Sequence, residues 1–248
     1  MPRLMFQRPR RIEWEEIGPV FGRMVAEPFE KGYALTVGNS LRRVLLAAIP
    51  GAAVAWVRID GLTASSGKLP GVVEDVPTLL LNLKKVVTRL PEGAAATARV
   101  SAKGPRTVVA GDLAGPGVEI LNPDWLIASL EARAKLSLEV GVQPGRGYVS
   151  ADHHAEPAPA GAIALDAAFS PIRRVNYTVE MSRLGNITDY EKLVVEVTTD
   201  GSIGPDQALV RASKLLREHF DLFTPAGAEE EDDEPSPDPA APEPTRRA

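Results

Sequence analysis

The chain has 248 residues, 44% of them hydrophobic and 25% charged, with no cysteine and a formal net charge of −5. Those totals fit a soluble polypeptide with one large or two modest cores; they exclude a disulfide framework, a thiolate metal site and a cysteine nucleophile. The charge is uneven: from Glu229 onward eight acidic residues face two arginines, so residues 1–228 carry a balance of only +1 and do not make a general polyanion binder.

No apolar run approaches the ~20 residues of a membrane span. The basic start, Met-Pro-Arg-Leu-Met-Phe-Gln-Arg-Pro-Arg-Arg, lacks the apolar stretch of a signal peptide. The missing cysteines are compatible with a reducing cytoplasm.

Residues 11–16 and 21–27 read as two strands joined by a turn at Gly18-Pro19, with Pro28 expected to end the second. A helix follows. Ala34, Val37, Leu41, Val44, Leu45, Ala48 and Ile49 recur at three- and four-residue steps, which makes one apolar face. Arg42 and Arg43 project about 100° apart around its axis and are suited to different jobs. Gly38 and Ser40 thin the surface so that another backbone can come close. Pro50-Gly51 predicts a hard stop and a turn.

Residues 54–60 read as a strand and 61–71 as a loop. Asp75 caps a second helix with Val76, Leu79, Leu80 and Leu83 on one face and Pro77 in its first turn. Strands are expected over 86–90, 97–102, 118–121 and 136–142, with turns at Pro91-Glu92-Gly93 and Asn122-Pro123-Asp124. Residues 149–166, rich in alanine and proline, read as a surface excursion. Alternating strands return at 175–179 and 193–199, and Asp200-Gly201 turns the chain.

Gly204-Pro205-Asp206 opens the last helix. Leu209, Ala212, Leu216, His219 and Phe223 lie near heptad spacing, and Ala208, Leu215 and Leu222 widen the stripe. Cover on so much of the circumference predicts burial on more than one side, as a dimer seam would give. The Glu/Asp/Pro/Ala-rich end, residues 226–248, is expected to be a disordered tail or linker. The pattern as a whole predicts an α+β fold. A discontinuous dimerisation domain, residues 1–51 and 170–225, would carry an inserted β-rich domain, residues 52–169.

Catalytic chemistry has no motif here. Asp152-His153-His154-Ala155-Glu156 could coordinate a metal on paper, but it sits in a loop, and adjacent residues rarely converge on one ion without partners from elsewhere. Gly61 and Gly67 enclose five residues where a phosphate loop has four, and Leu69 follows Lys68 where a Ser or Thr would hold magnesium. No Gly-x-Ser-x-Gly elbow is present. Gly145-Arg146-Gly147-Tyr148 reads as a turn closing a strand. The residues alone therefore describe a two-domain interaction protein without an active site.

A family resemblance extends that reading. Glu27-Pro28-Phe29-Glu30-Lys31-Gly32 and Gly38-Asn39-Ser40-Leu41-Arg42-Arg43-Val44-Leu45-Leu46 resemble the amino-terminal region of bacterial RNA polymerase alpha subunits. Further matches follow in the family's order: Gly71-Val-Val-Glu-Asp75, Leu80-Leu-Asn-Leu-Lys84, Val118-Glu-Ile120, Gly145-Arg-Gly-Tyr-Val149, Ser170-Pro-Ile-Arg-Arg174, Thr188-Asp-Tyr-Glu-Lys-Leu193 and Asp200-Gly201. They span nearly all of residues 12–223.

The resemblance implies a homodimer, paired through its first and last helices, that nucleates assembly of the beta and beta prime subunits. By matching positions, Arg43, Leu46 and Thr78 would meet beta, and Lys84, Ile172 and Lys192 would meet beta prime. Ala34, Val37, Leu41, Val44, Leu45, Leu209, Ala212, Leu216 and Phe223 would form the dimer seam. The chain would belong to a nucleotidyltransferase only as a subunit, with no catalytic residue, cofactor or metal of its own. Magnesium and zinc would sit in the large subunits, omega and sigma would join the wider complex, and DNA contact would be indirect. The usual family member continues into a DNA-binding domain, which this sequence does not show. A regulatory alpha-like paralogue that pairs with or replaces alpha is the alternative.

Overall fold

The computed structural model describes residues 6–62, 67–91, 94–184 and 187–224. The predicted acidic tail and four residues of the Gly61–Leu69 loop lie outside them. Strands β1 (Arg11–Ile17) and β2 (Phe21–Phe29) form the hairpin expected at Gly18-Pro19, closed by the Gly18 N–H donating to the Phe21 carbonyl at 2.8 Å. Pro28 does not end β2. It falls where the neighbouring strand shifts register between Glu191 and Leu193, so its missing N–H interrupts no regular ladder.

Helix α1 (Tyr33–Ala48) follows. Its start carries no cap of its own: Gly32 is left-handed at φ 83°, and its N–H donates to the Glu191 carboxylate at 2.8 Å. A long-range carboxylate thus answers one of the open N–H groups at the helix's positive end.

The predicted turn at Pro50-Gly51 is absent. Ile49 is extended, as a residue before proline prefers to be, and the chain passes straight into β3 (Pro50–Ile59). Gly51 is required for close approach instead, because a Cβ there would lie 2.0 Å from the Phe169 carbonyl oxygen.

Helix α2 (Val76–Lys84) begins as expected, with the Asp75 carboxylate accepting from the Thr78 N–H at 2.9 Å. The strand expected over 86–90 shrinks to β4 (Thr88–Arg89). Val86 N–H turns back to Leu83, and Val87 N–H donates to the Asn122 side chain. The chain continues through β5 (Ala96–Lys103), β6 (Arg106–Val109), β7 (Glu119–Ile120), β8 (Leu126–Leu130) and β9 (Lys135–Arg146). Neither β6 nor β8 is anticipated by the sequence pattern.

The excursion at 149–166 is only partly at the surface. After β10 (Tyr148–Val149) it buries Leu165 and pairs β11 (Ile163–Ala164) with β3, before β12 (Ala167–Ala168). The long hairpin of β13 (Ile172–Leu184) and β14 (Ile187–Thr199) leads through the Asp200-Gly201 turn to α3 (Pro205–Asp221).

Two large apolar cores result, with a small third cluster of Ala53, Ala167 and Phe169 at their junction. In one, the antiparallel sheet β1-β2-β14-β13 is covered by α1 and α3, so both ends of the chain build it together. The other lies wholly between Val54 and Leu165, around the sheet β5-β9-β3-β4-β7 and α2.

Candidate protein–protein interface

Helix α1 divides its circumference sharply. Ala34, Leu41 and Leu45 are fully or nearly buried inside the protomer, and Val37 and Val44 pack against the same core. On α3, Ala212 is buried in that core and Leu209 and Leu216 lie on its rim. This corrects the seam drawn from sequence. Ala34, Leu41, Leu45 and Ala212 are consumed by the chain's own sheet and have no surface left for a second copy. Gly38 likewise meets β13 and β14, not a partner backbone, and the Ser40 hydroxyl donates back to Thr36 within the helix.

The lower half of α3 differs. The protomer's core stops at Leu216, while the helix runs on through His219 and Phe220 to Asp221, with Leu222 and Phe223 in the turn just beyond it. Phe223 is 84% exposed, Leu222 81% and Phe220 62%. At the start of α1, Tyr33 and Leu35 are exposed too, with the Phe6 ring edge-on to Tyr33 at 4.9 Å. Large apolar side chains are thus left in water at two helix ends, which is unfavourable.

On the outward face of α1, Arg43 and Leu46 are both exposed and lie about 60° apart around the axis. Arg42 turns toward the sheet and donates through Nε to the Val175 carbonyl at 3.4 Å. Both arginines are exposed, but Arg42 is tied to the sheet and Arg43 is not, so the two neighbours do separate work.

Thr78 is exposed on α2. Lys84, at the end of that helix, reaches Asp166 at 3.2 Å. Asp166 also accepts from the Ala151 N–H, and these two contacts, the backbone one first, hold its carboxyl below the ordinary range. Lys192 pairs across the β13–β14 hairpin with Glu180. That bond raises the lysine and lowers the carboxylate.

Ile172 is 5% exposed and belongs to the first core, so its side chain cannot be an open contact; this position is corrected to a packing role. Asp166, Glu180 and Glu191 were not singled out from sequence, because each meets a partner distant along the chain.

Residues 27–220 match the RNA polymerase Rpb3/Rpb11 dimerisation domain. The DNA-directed RNA polymerase subunit alpha of Moorella thermoacetica is 48% identical over 222 residues, covering 89% of this chain and 71% of that relative. The chain belongs to the RNA polymerase alpha-subunit family. The subunit alpha of Symbiobacterium thermophilum is 50% identical over 205 residues, 82% of this chain and 65% of the relative. That of Carboxydothermus hydrogenoformans is 44% identical over 222 residues, with shares of 89% and 71%. The chain thus spans about two thirds of the length of these curated relatives.

Among the described residues of this alpha-family chain, no three His, Asp or Glu side chains converge on one point. His153 is bonded to the Ser150 hydroxyl, and His154 Nε2 donates to the Leu165 carbonyl at 2.7 Å. His219 Nδ1 donates to the Leu215 carbonyl at 2.8 Å. Each imidazole is thereby tied to its local backbone or neighbour. None of the described helices is long and apolar enough to cross a membrane.

Proposed function

We infer that this chain is the assembly scaffold of a DNA-dependent RNA polymerase. It pairs with a second copy of itself and offers its outward faces to the beta and beta prime subunits. The observation that carries this is the end of α3, which outruns its own core and, with the turn after it, leaves Phe220, Leu222 and Phe223 uncovered. A second α3 end, with Tyr33 and Leu35 of α1, is a matching occupant, because a two-fold contact sets the same patch against itself. The shared alpha-subunit name of the relatives favours this reading over a regulatory paralogue.

In this role Arg43, Leu46 and Thr78 face beta, while Lys84 and Lys192 face beta prime. Their present partners, Asp166 and Glu180, would hold both lysines in place until the large subunit arrives. The chain contributes no catalytic group to nucleotidyl transfer, and omega, sigma and DNA belong to the wider complex in the bacterial cytoplasm.

The test is charge reversal at Arg43, which is exposed and makes no contact on which the fold depends. Arg43→Glu is expected to leave the dimer's mass and melting temperature unchanged. Capture of beta in reconstitution should fall at least about tenfold, equivalent to ~1.4 kcal/mol. Normal capture would refute the contact.

A further inference from the structure

The two cores are joined by two stretches of chain, the passage from α1 into β3 and the passage from β12 into β13. These stretches lie against each other. The close approach of Gly51 to the Phe169 carbonyl marks the contact, and Ser170 Oγ donates to the Leu46 carbonyl at 3.4 Å. Two connections side by side form one hinge line, the axis about which any swing of the inserted body would turn. Beside this hinge the bodies do not pack tightly. A cavity of about 350 Å³ opens between Pro50, Ala52 and Thr88 on one side and Ile203, Gln207 and Arg211 on the other.

Arg89 spans the gap. Its Nε donates to the Ser202 carbonyl at 3.1 Å and its Nη2 to the Gly201 carbonyl at 3.0 Å. Its Nη1 is held by both oxygens of Glu119, at 3.1 and 3.3 Å, on the neighbouring strand β7. The receiving turn is equally constrained. Gly201 is left-handed at φ 92°, and its N–H donates to Thr199 Oγ1. The Ser202 N–H and hydroxyl both donate to Asp200 Oδ1, at 2.9 and 2.6 Å. With those donors occupied inside the turn, the two carbonyls are left to face the guanidinium. A planar fork fixed on one body meets a pair of fixed acceptors on the other, a geometry that a lysine cannot reproduce.

We propose that Arg89 is the positioning residue that sets the angle between the inserted body and the helix–sheet body that carries the dimer surface. It acts as a latch across the hinge, because motion between domains is the default where their interface is small and open. Given the scaffold reading above, the latch fixes how far Thr78 and Lys84 on α2 stand from Arg43 on α1; the latch itself does not depend on that reading.

The chain has no cysteine, so two spin labels can be placed cleanly at Glu16→Cys on β1 and Lys103→Cys on β5, both exposed. Labelled chains are mixed with excess unlabelled chain, so that the measured distance lies within one protomer. The parent protein is expected to give one narrow distance peak. Arg89→Ala and Arg89→Lys should both lose that narrow peak and give a broad distribution, while dimer mass and helix content stay unchanged. Arg89→Gln, which keeps most of the side-chain stem, serves if the alanine variant does not fold. A narrow, unshifted peak in the folded variants would overturn the proposal, as would full restoration of the narrow peak by lysine. Because no large subunit is present, failure of this test and failure of the assembly reading are separate results.

Discussion

Gly38 shows how one residue positions the outward face of α1. The helix crosses β13 and β14 closely enough that a Cβ at Gly38 would lie 2.8 Å from both Leu193 Cδ1 and Tyr177 Cδ2. Leu193 is buried and cannot yield cheaply. Alanine would gain about 0.5–1 kcal/mol of helix propensity over glycine, but overpacking of this kind costs about 1–3 kcal/mol. Gly38→Ala is therefore expected to lower stability by a net ~1 kcal/mol, and at most ~2.5 kcal/mol, in urea unfolding. On the scaffold reading proposed above, the same substitution should weaken capture of beta, because tilting α1 moves Arg43 and Leu46 together. Equal or greater stability in the variant would show that the close approach does not constrain the helix.

At the level of elements, α3 separates what a pattern can say from what it cannot. Its stripe was legible, since Leu209, Ala212 and Leu216 recur at helical spacing, and so was its start at Pro205, whereas Phe223 falls just past its end. What covers each part was not, because periodicity identifies an apolar face without naming its neighbour. The protomer's sheet takes the first half and leaves the second open. Replacing Phe220 and Phe223 together by Asp should then weaken the dimer about a hundredfold or more in sedimentation equilibrium, at ~1.5–3 kcal/mol per buried ring. The protomer's own melting should barely move, since both rings are largely exposed in it. Unchanged self-association would remove α3 from the seam.

Elsewhere, local signals were read well and long-range ones poorly. Asp75 capping α2 and the Gly18-Pro19 hairpin are written in neighbouring residues. The β6–β8 pair is not, because Arg106–Val109 is short and Leu126–Leu130 buries Ala128 without clean alternation. Pro50 was misread because proline ends a helix equally well by turning or by extending. Ile172 fell at a contact position through the family resemblance, yet its burial follows from the sheet it opens, which only the fold reveals. Lys84 and Asp166 are 82 residues apart, and nothing near either one announces the pair.

Across the whole molecule, carboxylates tie together strands and segments that the two cores alone would not fix. In the inserted body Glu139 on β9 is gripped by Arg99 on β5 and by Arg58 on β3, so one side chain staples three strands. The Arg99 bond foremost, then Arg58, keeps this carboxyl below its ordinary range. Asp166, held by the Ala151 N–H and by Lys84, ties the 151 segment to α2. In the other body Lys192 does the same for Glu180 across the hairpin.

A carboxyl lowered on folding binds fewer protons in the native state than in the unfolded chain. Its contribution is present above the ordinary value of about 4 and is lost as pH falls through the lower folded value. Lys192 has the opposite sign: its raised value gives a contribution that is complete below about 10.4 and lost only above it. Stability should accordingly be level from about pH 5 to pH 9 and fall below about pH 4. Urea midpoints measured from pH 7 down to pH 3 test this. Glu139→Gln should lower the midpoint at neutral pH and flatten the acid slope, because the group that releases Arg58 and Arg99 on protonation is already uncharged. A parental midpoint that holds level to pH 3, or a Glu139→Gln slope as steep as the parent's, would show that the staples do not contribute to the fold's acid sensitivity.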